Sequence, residues 1–590
     1  MHYPIGKYLS ILALSILGAG ALNAQETETE TINQDVRVIR EYNPTISNAF
    51  KINEMPEQSD TMKANPVFRY QLTGKAIVTP PEMVPLVPAK MAREPREELY
   101  PSYVAGYLGN YEVFGGQILY NLVQNERFAL ALKAGHETSF GDLELEDKRE
   151  VEAPYHETQA GLYLRHFFKK KTLSLDLDFN NNVYKYYGLQ TINPEGIYLD
   201  PTPLPEISAI QTVQGSALIP DSKQRQTAFD IALGFLNQET GNDAIKYKAD
   251  FGFSTFGNLS GVKENQINLG GELAIPFGEL AFNLEAGVEQ ASTKLGSNDH
   301  PELFLFTQRQ QSLVYANPSL VKQINELRLK MGLRIAGEFD DMGDEFYLSP
   351  DLQASVVVAE GVISLEGGIT GDVKSSTYRG IMAENPFVAP DVNVKTAFHT
   401  VRFYAGVRGN FSNATSFAAR MDYSVFQDEH FYINRMFDES ALSVQHYSNL
   451  FDVAYDDGRL LTVSGEFKVK PIEELDVVLR GAYYGWDLDL MQKAWHKPDM
   501  ELGLRAAYQV NRDLTLTTAL NILGERYAPM PEAVKKLDSV VDFNLGANYT
   551  LNKRWNFFGN IQNLFAAKYY RFQGYPMQGV NFRVGVGYSF

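Results

Sequence analysis

Cysteine is absent from this chain of 590 residues. Its absence excludes disulfide bonds, thiolate catalysis and metal sites with cysteine ligands. Tryptophan is scarce as well, with 3 residues beside 36 phenylalanines and 33 tyrosines, so nearly all the aromatic side chains are single rings. The formal net charge of -19 at pH 7 offers no positive surface to a polyanion, and we therefore expect no nucleic-acid partner.

Long apolar runs are also missing. A helix that crosses a membrane needs roughly 18 or more consecutive apolar residues, and no later part of the chain contains such a run. The mean hydropathy of -0.25 resembles that of a soluble protein. A membrane β-barrel gives a similar average, because apolar and polar residues alternate along its strands.

Residues 1–24 have the pattern of a secretory signal peptide. Lys7 supplies a positive charge, residues 9–17 form a short apolar stretch, and residues 21–24 offer a cleavage site before Gln25. The apolar stretch is too short for a spanning helix. No cysteine follows it, so the sequence also excludes a lipid anchor on cysteine.

Residues 25–100 differ from the rest of the chain. They begin with an acidic polar run at 26–31 and then contain many prolines: Pro44, Pro56, Pro66, Pro80, Pro81, Pro85, Pro88 and Pro95. Such a composition buries little apolar area, so we expect a short, extended periplasmic segment. Residues 35–40 have strand character and suit addition to the sheet edge of a periplasmic or outer-membrane partner. An ordinary linker is the alternative.

Residues 101–590 alternate between apolar and polar side chains. In residues 172–180, for example, the apolar side chains fall on one face and the polar ones on the other. The segments are roughly 10–15 residues long, which exceeds the usual soluble strand and fits a tilted membrane strand. Aromatic residues lie near the strand ends, as at 184–187 and 483–486, where interfacial girdles are expected.

The connections between the predicted strands are of two lengths. Tight turns fall at 169–171, 277–279 and 360–361, and long polar connections at 139–155, 189–222, 294–310 and 374–398. Short periplasmic turns and long external loops are typical of outer-membrane barrels. The sequence therefore predicts an all-β fold in the outer membrane of a Gram-negative cell. We expect a transmembrane antiparallel up-and-down β-barrel of about 22 strands, an even number if both termini are periplasmic.

Two details of this barrel are less regular. The alternation slips near residues 470–474, where a short turn falls in the place expected for an outer loop. Charged residues at inward positions, namely Asp176, Asp178, Arg334 and Arg583, predict a hydrated lumen. Because a barrel of this width is not filled by its own side chains, we expect inward-folded outer loops, above all 189–222, or residues 25–100 to occupy it.

No catalytic constellation stands out, so we expect neither an enzyme nor a cofactor. The histidines are scattered, and each is expected in the lumen or in a loop. Calcium prefers several carboxylate oxygens, and the best candidates for a calcium site are Asp340, Asp341, Asp344 and Glu345. A second acidic loop lies at 142–152. A solvated acidic rim is the alternative for both, and we predict no metal.

The carboxy-terminal residues carry a motif. It comprises Asn563, Leu564, Phe565, Lys568, Tyr569, Gly574, Tyr575, Pro576 and Phe582, followed by a strand with Tyr588 and a terminal Phe590. This stretch resembles the closing hairpin of TonB-dependent receptors, and residues 521–527 are a weaker copy of it. The resemblance implies an outer-membrane barrel that takes up a nutrient. A terminal phenylalanine on an amphipathic strand is also what barrel-assembly machinery recognises, so we expect that machinery and outer-membrane lipid as partners.

The amino-terminal residues depart from that family. TonB-dependent receptors place a globular plug before the barrel, whereas residues 25–100 are too few and too rich in proline. Residues 36–39 are a poor match to an energy-coupling box. The segment from Asp35 to Phe50, together with the overall pattern of the chain, also resembles the sequences of plugless barrels of Bacteroidota. These departures leave open an alternative function, in which the barrel is a structural or assembly platform that binds a partner through residues 25–100.

Overall fold

The structure, a computed structural model, describes residues 102–188, 223–237, 244–295, 308–341, 343–359, 361–437, 446–530 and 533–590. Its main feature is one antiparallel sheet of 22 strands. The first strand pairs with the last over a register that runs from Tyr103 opposite Ser589 to Gly109 opposite Arg583. The sheet is therefore a closed barrel, and the predicted fold class and strand number are confirmed.

The strands are numbered in chain order. The first fourteen are β1 (Ser102–Gly109), β2 (Val113–Gln124), β3 (Phe128–Ser139), β4 (Asp142–Glu144), β5 (Glu150–Glu152), β6 (Tyr155–Phe167), β7 (Lys171–Lys185), β8 (Lys223–Asn237), β9 (Lys246–Asn258), β10 (Lys263–Phe277), β11 (Leu280–Lys294), β12 (Gln308–Ile324), β13 (Leu327–Asp340) and β14 (Gly343–Ala359). Among these, β4 and β5 form a separate small hairpin.

The second half contains the one named helix of the described residues. Its elements are β15 (Ile363–Lys374), α1 (Tyr378–Glu384), β16 (Ala397–Ser412), β17 (Thr415–Phe437), β18 (His446–Ile472), β19 (Leu475–Leu488), β20 (Met500–Gln509), β21 (Leu514–Leu523), β22 (Arg526–Pro529), β23 (Val534–Leu537), β24 (Val540–Leu551), β25 (Trp555–Gln562), β26 (Tyr570–Phe572), β27 (Tyr575–Pro576) and β28 (Asn581–Ser589). The pairs β22–β23 and β26–β27 are small hairpins outside the barrel sheet. No helix among the residues described is long and apolar enough to cross a membrane.

The two ends of the barrel differ in their connections. The terminal end, where β1 starts and β28 finishes, carries the tight turns 168–170 and 278–279. The opposite end, called the loop end, carries the long connections 140–154 and 375–396. These turns and connections agree with the pattern predicted from the sequence. The predicted loop 189–222 and most of the predicted loop 294–310 lie outside the described residues.

The irregularity near residue 470 has a simple cause. β17 and β18 are 23 and 27 residues long, well beyond the expected strand length. Among the barrel strands, their outer parts, 429–437 and 446–456, pair with each other alone and continue as a two-stranded hairpin past the neighbouring strands. The turn at 473–474 therefore lies at the terminal end, like the other tight turns, and the expectation of an outer loop there was wrong.

The barrel wall has one apolar and one polar face. Apolar side chains such as Leu269, Met331 and Leu333 are about half exposed on the outside, as lipid-facing residues are in the absence of lipid. The predicted lumen charges are engaged with neighbours on the inner face. Asp176 accepts from Arg165 at 2.9 Å, Asp178 from Tyr163 at 2.6 Å, and Glu137 from Arg583 at 2.9 Å; Arg334 lies 3.5 Å from Asp372. A closed barrel with this polarity is an outer-membrane structure, and the chain is located there.

Candidate functional site: a lid across the loop end

The connection between β15 and β16, residues 375–396, is called the lid. It contains α1, which begins because the Thr377 hydroxyl accepts a hydrogen bond from the backbone N–H of Gly380 at 3.1 Å. The helix ends before Pro386, since the residue preceding a proline is disfavoured in a helical conformation. Its buried side chains are Tyr378, Ile381 and Met382. An ordinary solvated loop would not bury apolar side chains in this way.

The lid is attached to one side of the barrel by charged groups. The Glu264 carboxylate of β10 accepts from the backbone N–H groups of Tyr378 and Arg379 at 2.8 and 3.2 Å, and from the Thr293 hydroxyl at 2.9 Å. The Arg379 guanidinium donates to Asp230 of β8 at 2.8 Å, and this bond raises the pKa of the guanidinium. The first turn of α1 thus has its unpaired N–H groups satisfied by an anion, as a helix start prefers.

The other side of the barrel holds the lid by backbone pairing and packing. The Ala389 N–H donates to the Phe451 carbonyl at 2.9 Å, and the Phe451 N–H donates to the Phe387 carbonyl at 3.0 Å. Val388, Ala389 and Phe451 are fully buried. Next to them, Arg435 of β17 donates to Asp391 at 2.7 Å and to Asp452 at 2.8 Å. The lid therefore extends the β18 edge as a short parallel strand contact.

The lid reaches strands that lie far from its own ends around the barrel. Along the sheet of 22 strands, it connects β15 and β16, the thirteenth and fourteenth, and extends to β7 and β8, the fifth and sixth. The lid contacts β18 through Phe451 and β7 through Tyr184, whose hydroxyl donates to the Pro386 carbonyl at 2.8 Å. The lid thus crosses the loop end from wall to wall.

An aromatic cluster packs above the middle of the lid. The ring of Phe387 stacks on Tyr575 with a centroid distance of 3.5 Å, and Tyr187 meets Tyr575 edge-on at 5.0 Å. The Tyr575 hydroxyl donates to the Asn449 carbonyl at 2.7 Å, and the Tyr187 hydroxyl donates to the Pro576 carbonyl at 2.9 Å. Burial raises the pKa of Tyr575 well above its ordinary value. The lid, the β7 end and the β25–β28 connection therefore share one apolar core.

The carboxy-terminal motif supplies part of this core. Gly574 has a φ of 84°, a conformation that favours glycine, and this turn aims Tyr575 into the cluster. Asn563 is buried, with a φ of 49°, and its side chain donates to Ala567 and Gln578 carbonyls at 2.9 and 3.3 Å. Asn563 thus organises the 563–580 connection.

The other motif residues lie around that connection and on the last strand. Leu564 and Phe565 are exposed, Lys568 lies 3.1 Å from Glu144, and Phe582 and Phe590 are exposed on β28 and the residue after it. Tyr569 and Tyr588 complete the set, and Tyr588 packs against Trp555 at 4.7 Å. Some residues of the motif thus lie on the last strand, which closes the barrel, and others belong to the aromatic core. The sequence alone did not predict that Tyr575 lies in this core.

Two ionisable groups near the lid have shifted pKa values. Burial raises the pKa of Glu384, but the hydrogen bond from His430 at 2.8 Å and nearby cations outweigh it and lower the value to about 2. His496, between β19 and β20, is buried, which lowers its pKa to about 4. Its Nδ1 donates to the Tyr432 carbonyl at 2.7 Å and its Nε2 accepts from the Gln573 N–H at 3.2 Å. His496 is therefore a neutral connector between β17 and the 563–580 connection.

The calcium candidates lie at the β13–β14 turn. Asp340 accepts from Arg309 at 2.8 Å, Asp341 accepts from the Gln310 N–H at 2.9 Å, and Glu345 accepts from Tyr347 at 2.6 Å. Asp344 stands opposite Phe339 in the ladder. Within the described ranges, no group of three or more histidine and carboxylate side chains is placed to hold a metal ion.

Sequence reasoning named the connection 374–398 as a long loop but placed the main lumen occupant at 189–222 or 25–100, which lie outside the described residues. It missed the lid and its anchors Glu264, Arg379 and Arg435. A signal was present, because residues 378–394 carry an unusual number of apolar side chains for an outer loop. Such residues need a protein surface to cover them.

The comparisons with known proteins agree on the fold. No family model matches the sequence, and no curated protein matches it. The siderophore receptor PirA from Acinetobacter baumannii has a TM-score of 0.59 at 10% identity, over 84% of this chain and 81% of that chain. The copper transporter OprC has a TM-score of 0.60 at 13% identity, over 84% of both chains. The ferripyoverdine receptor of the outer membrane of Pseudomonas aeruginosa has 0.59 at 10% identity, over 83% of this chain and 72% of that chain. The chain has the barrel fold of these outer-membrane receptors.

Proposed function

We propose that this protein takes up a nutrient across the outer membrane, and that the lid gates its lumen. The observation that carries the proposal is the wall-to-wall course of residues 375–396 across the loop end of a 22-stranded barrel. A barrel of this size is wide enough for an aqueous channel or a plugged lumen. A cargo that enters from outside must displace the lid from at least one wall.

The structural neighbours support uptake rather than catalysis. One is named as a siderophore receptor, one as a ferripyoverdine receptor and one as a copper transporter. At 10–13% identity the likeness concerns the barrel, and we assign no cargo from it. We infer that this chain is not an enzyme, because these neighbours are named for binding and transport.

The amino-terminal segment is the second part of the proposal. We propose that residues 25–100 form no standard plug and instead contact a periplasmic or outer-membrane partner, because they are short, rich in proline and partly acidic. The domain division into 1–24, 25–100 and 101–590 follows from this reasoning. A platform without transport is the rival function, and it is supported by the same composition.

Single-channel conductance in planar bilayers tests the proposal. The full-length protein is compared with a lid variant, in which residues 376–395 are replaced by a short glycine–serine linker, and with a variant that lacks residues 26–98. We expect silence in the full-length protein and large steady conductance in the lid variant. Silence of the lid variant, in a barrel that still migrates as folded on an unheated gel, would contradict a gating lid.

A matched control removes a different part of the same end. Residues 141–153 contain the β4–β5 hairpin, whose Glu144 and Glu146 form ion pairs with Lys568 and Lys535, and their replacement by the same linker is expected to leave the protein silent. Conductance after removal of 26–98 alone would assign the seal to the amino-terminal segment. Cells that express the lid variant are also expected to become sensitive to vancomycin, whereas an unchanged sensitivity in all variants would favour the platform.

A further inference from the structure

A second surface of the barrel, unrelated to uptake, lies on the outer face at the terminal end. It is centred on the β6–β7 turn, where Phe167 and Phe168 are followed by Lys169, Lys170 and Lys171. This is the one run of three lysines in the sequence. All five side chains are exposed, and the terminal end faces the periplasm, because outer-membrane barrels have short periplasmic turns.

An aromatic stack stands directly beside the lysines. His166 lies between Phe128 and Phe168, with ring-centroid distances of 4.1 Å on each side. His166 and Phe128 are paired across β6 and β3, and the pair continues the line of Leu130 and Leu164 on the lipid-facing side. The expectation that every histidine lies in the lumen or a loop was therefore wrong for His166. The three rings form an aromatic wall on the outer face at the terminal end.

The positive charge extends to both sides of the stack. The Arg127 carbonyl accepts from the Phe167 N–H at 2.7 Å, so the β2–β3 and β6–β7 turns are adjacent. The Lys171 ammonium lies 5.7 Å from the ring centre of Phe235 and 5.9 Å from that of Tyr247 on the next two strands. Glu126 is the one acidic residue in these two turns. Four cations thus border the aromatic wall.

We propose that this surface, formed by Phe128, His166, Phe168 and the cations Arg127, Lys169 and Lys170, binds an anionic glycerophospholipid of the inner leaflet. The acyl chains lie against the outward rings, and the headgroup phosphate meets the lysines. Lysine and arginine near a membrane interface extend their charged ends towards headgroups, and basic clusters there favour anionic lipids. Lipid A carries phosphate as well, but it resides in the outer leaflet, at the loop end.

Native mass spectrometry of the full-length protein in detergent tests this site with four probes: dioleoyl phosphatidylglycerol, tetraoleoyl cardiolipin, dioleoyl phosphatidylethanolamine and lipid A. We expect one phosphatidylglycerol or cardiolipin to bind more tightly than the others. At about 1 kcal/mol per lysine near an anionic surface, the double change Lys169→Gln and Lys170→Gln raises the Kd for phosphatidylglycerol roughly 30-fold. Lys169→Arg with Lys170→Arg keeps the charge and retains the affinity.

The matched control is Lys468→Gln with Lys470→Gln, which removes the same charge at the same end of the barrel from side chains that lie 2.6 and 3.8 Å from Glu466 and Asp476. We expect less than about a twofold change in Kd, because phosphate contacts act locally. Equal losses in both double variants, or equal binding of phosphatidylethanolamine, would overturn the site. Tighter binding of lipid A than of phosphatidylglycerol would mean that the surface prefers an outer-leaflet lipid, and it would also overturn the proposal. Phe168→Ala is expected to weaken phosphatidylglycerol binding with the lysines intact, while migration on an unheated gel confirms the folded barrel.

Discussion

The lid is held differently on its two sides. On the β8–β10 side, Glu264 and Asp230 accept hydrogen bonds from the first turn of α1, and the Arg379–Asp230 pair is partly exposed. On the β17–β18 side, backbone pairing with Phe451 and the largely buried pair of Arg435 and Asp391 hold the lid. One apolar core packs against the lid on both sides. Partly exposed ionic contacts weaken with salt, whereas buried ones are screened much less. We therefore expect the lid to open from the β8–β10 side and to turn on the β17–β18 side.

Arg435→Met is expected to give the largest effect, because it leaves the buried Asp391 and the partly buried Asp452 without their shared partner. Breaking such a pair costs about 3–5 kcal/mol. Hydrogen-exchange mass spectrometry of residues 387–395 measures the loss as faster exchange. Arg435→Lys, which keeps a charge, is expected to exchange at an intermediate rate. Unchanged exchange in Arg435→Met would contradict a hinge on this side.

Acid is expected to loosen the same side through His496. Its folded pKa of about 4 lies below the ordinary value of 6.5, so the folded state binds the proton more weakly than the opened state. The stabilisation is complete above pH 6.5, declines as the pH falls towards 4, and changes no further below that. The total is about 3 kcal/mol. Protection factors of residues 387–395, which correct for the intrinsic pH dependence of amide exchange, should be lower at pH 5 than at pH 7, and His496→Gln should remove that difference.

Glu264→Ala is expected to release the other side. Three donors lose their charged acceptor, at a cost of about 2 kcal/mol. Residues 376–384 should then exchange faster, while 387–395 remain protected. Glu264→Gln keeps an acceptor oxygen and should show a smaller change. Equal acceleration in both peptides would mean that the lid opens as one unit, and the two-sided comparison would fail.

The smallest effect is expected at the partly exposed pair of Arg379 and Asp230. A double-mutant cycle with Arg379→Met and Asp230→Asn should give a coupling energy of about 1 kcal/mol or less, because solvent and salt screen the pair. The same cycle in 1 M salt should approach zero. A coupling that persists in high salt would indicate a buried contact and would weaken the case for opening on this side.

The sequence predicted the barrel well because each strand carries its own signal. Residues 172–180 alternate strictly, and β7 indeed spans Lys171–Lys185 with its polar residues inward. The prediction was weakest at β17 and β18, whose outer parts extend past the neighbouring barrel strands and pair there with each other. The length of each of these strands depends on its pairing with the other, and the alternation within one segment does not predict that pairing.

The candidate site was harder to predict. In the sequence, Glu264 cannot be distinguished from other acidic residues that face inward on an alternating strand. Arg435 likewise cannot be distinguished from other charged residues near a loop. They become anchors only because residues 375–396 reach them from the far side of the barrel. Tyr575 was singled out by its motif, yet its burial against Phe387 depends on a connection almost two hundred residues away in the chain.

The sequence by itself determined the alternating strands, the strand number and the closing motif, because each rests on local periodicity or on adjacent residues. Only the tertiary structure decided which connection crosses the loop end and which wall residues hold it. Those contacts join strands that lie far apart around the ring. Side chains so far apart in sequence are brought together by closure of the sheet, which no local pattern encodes.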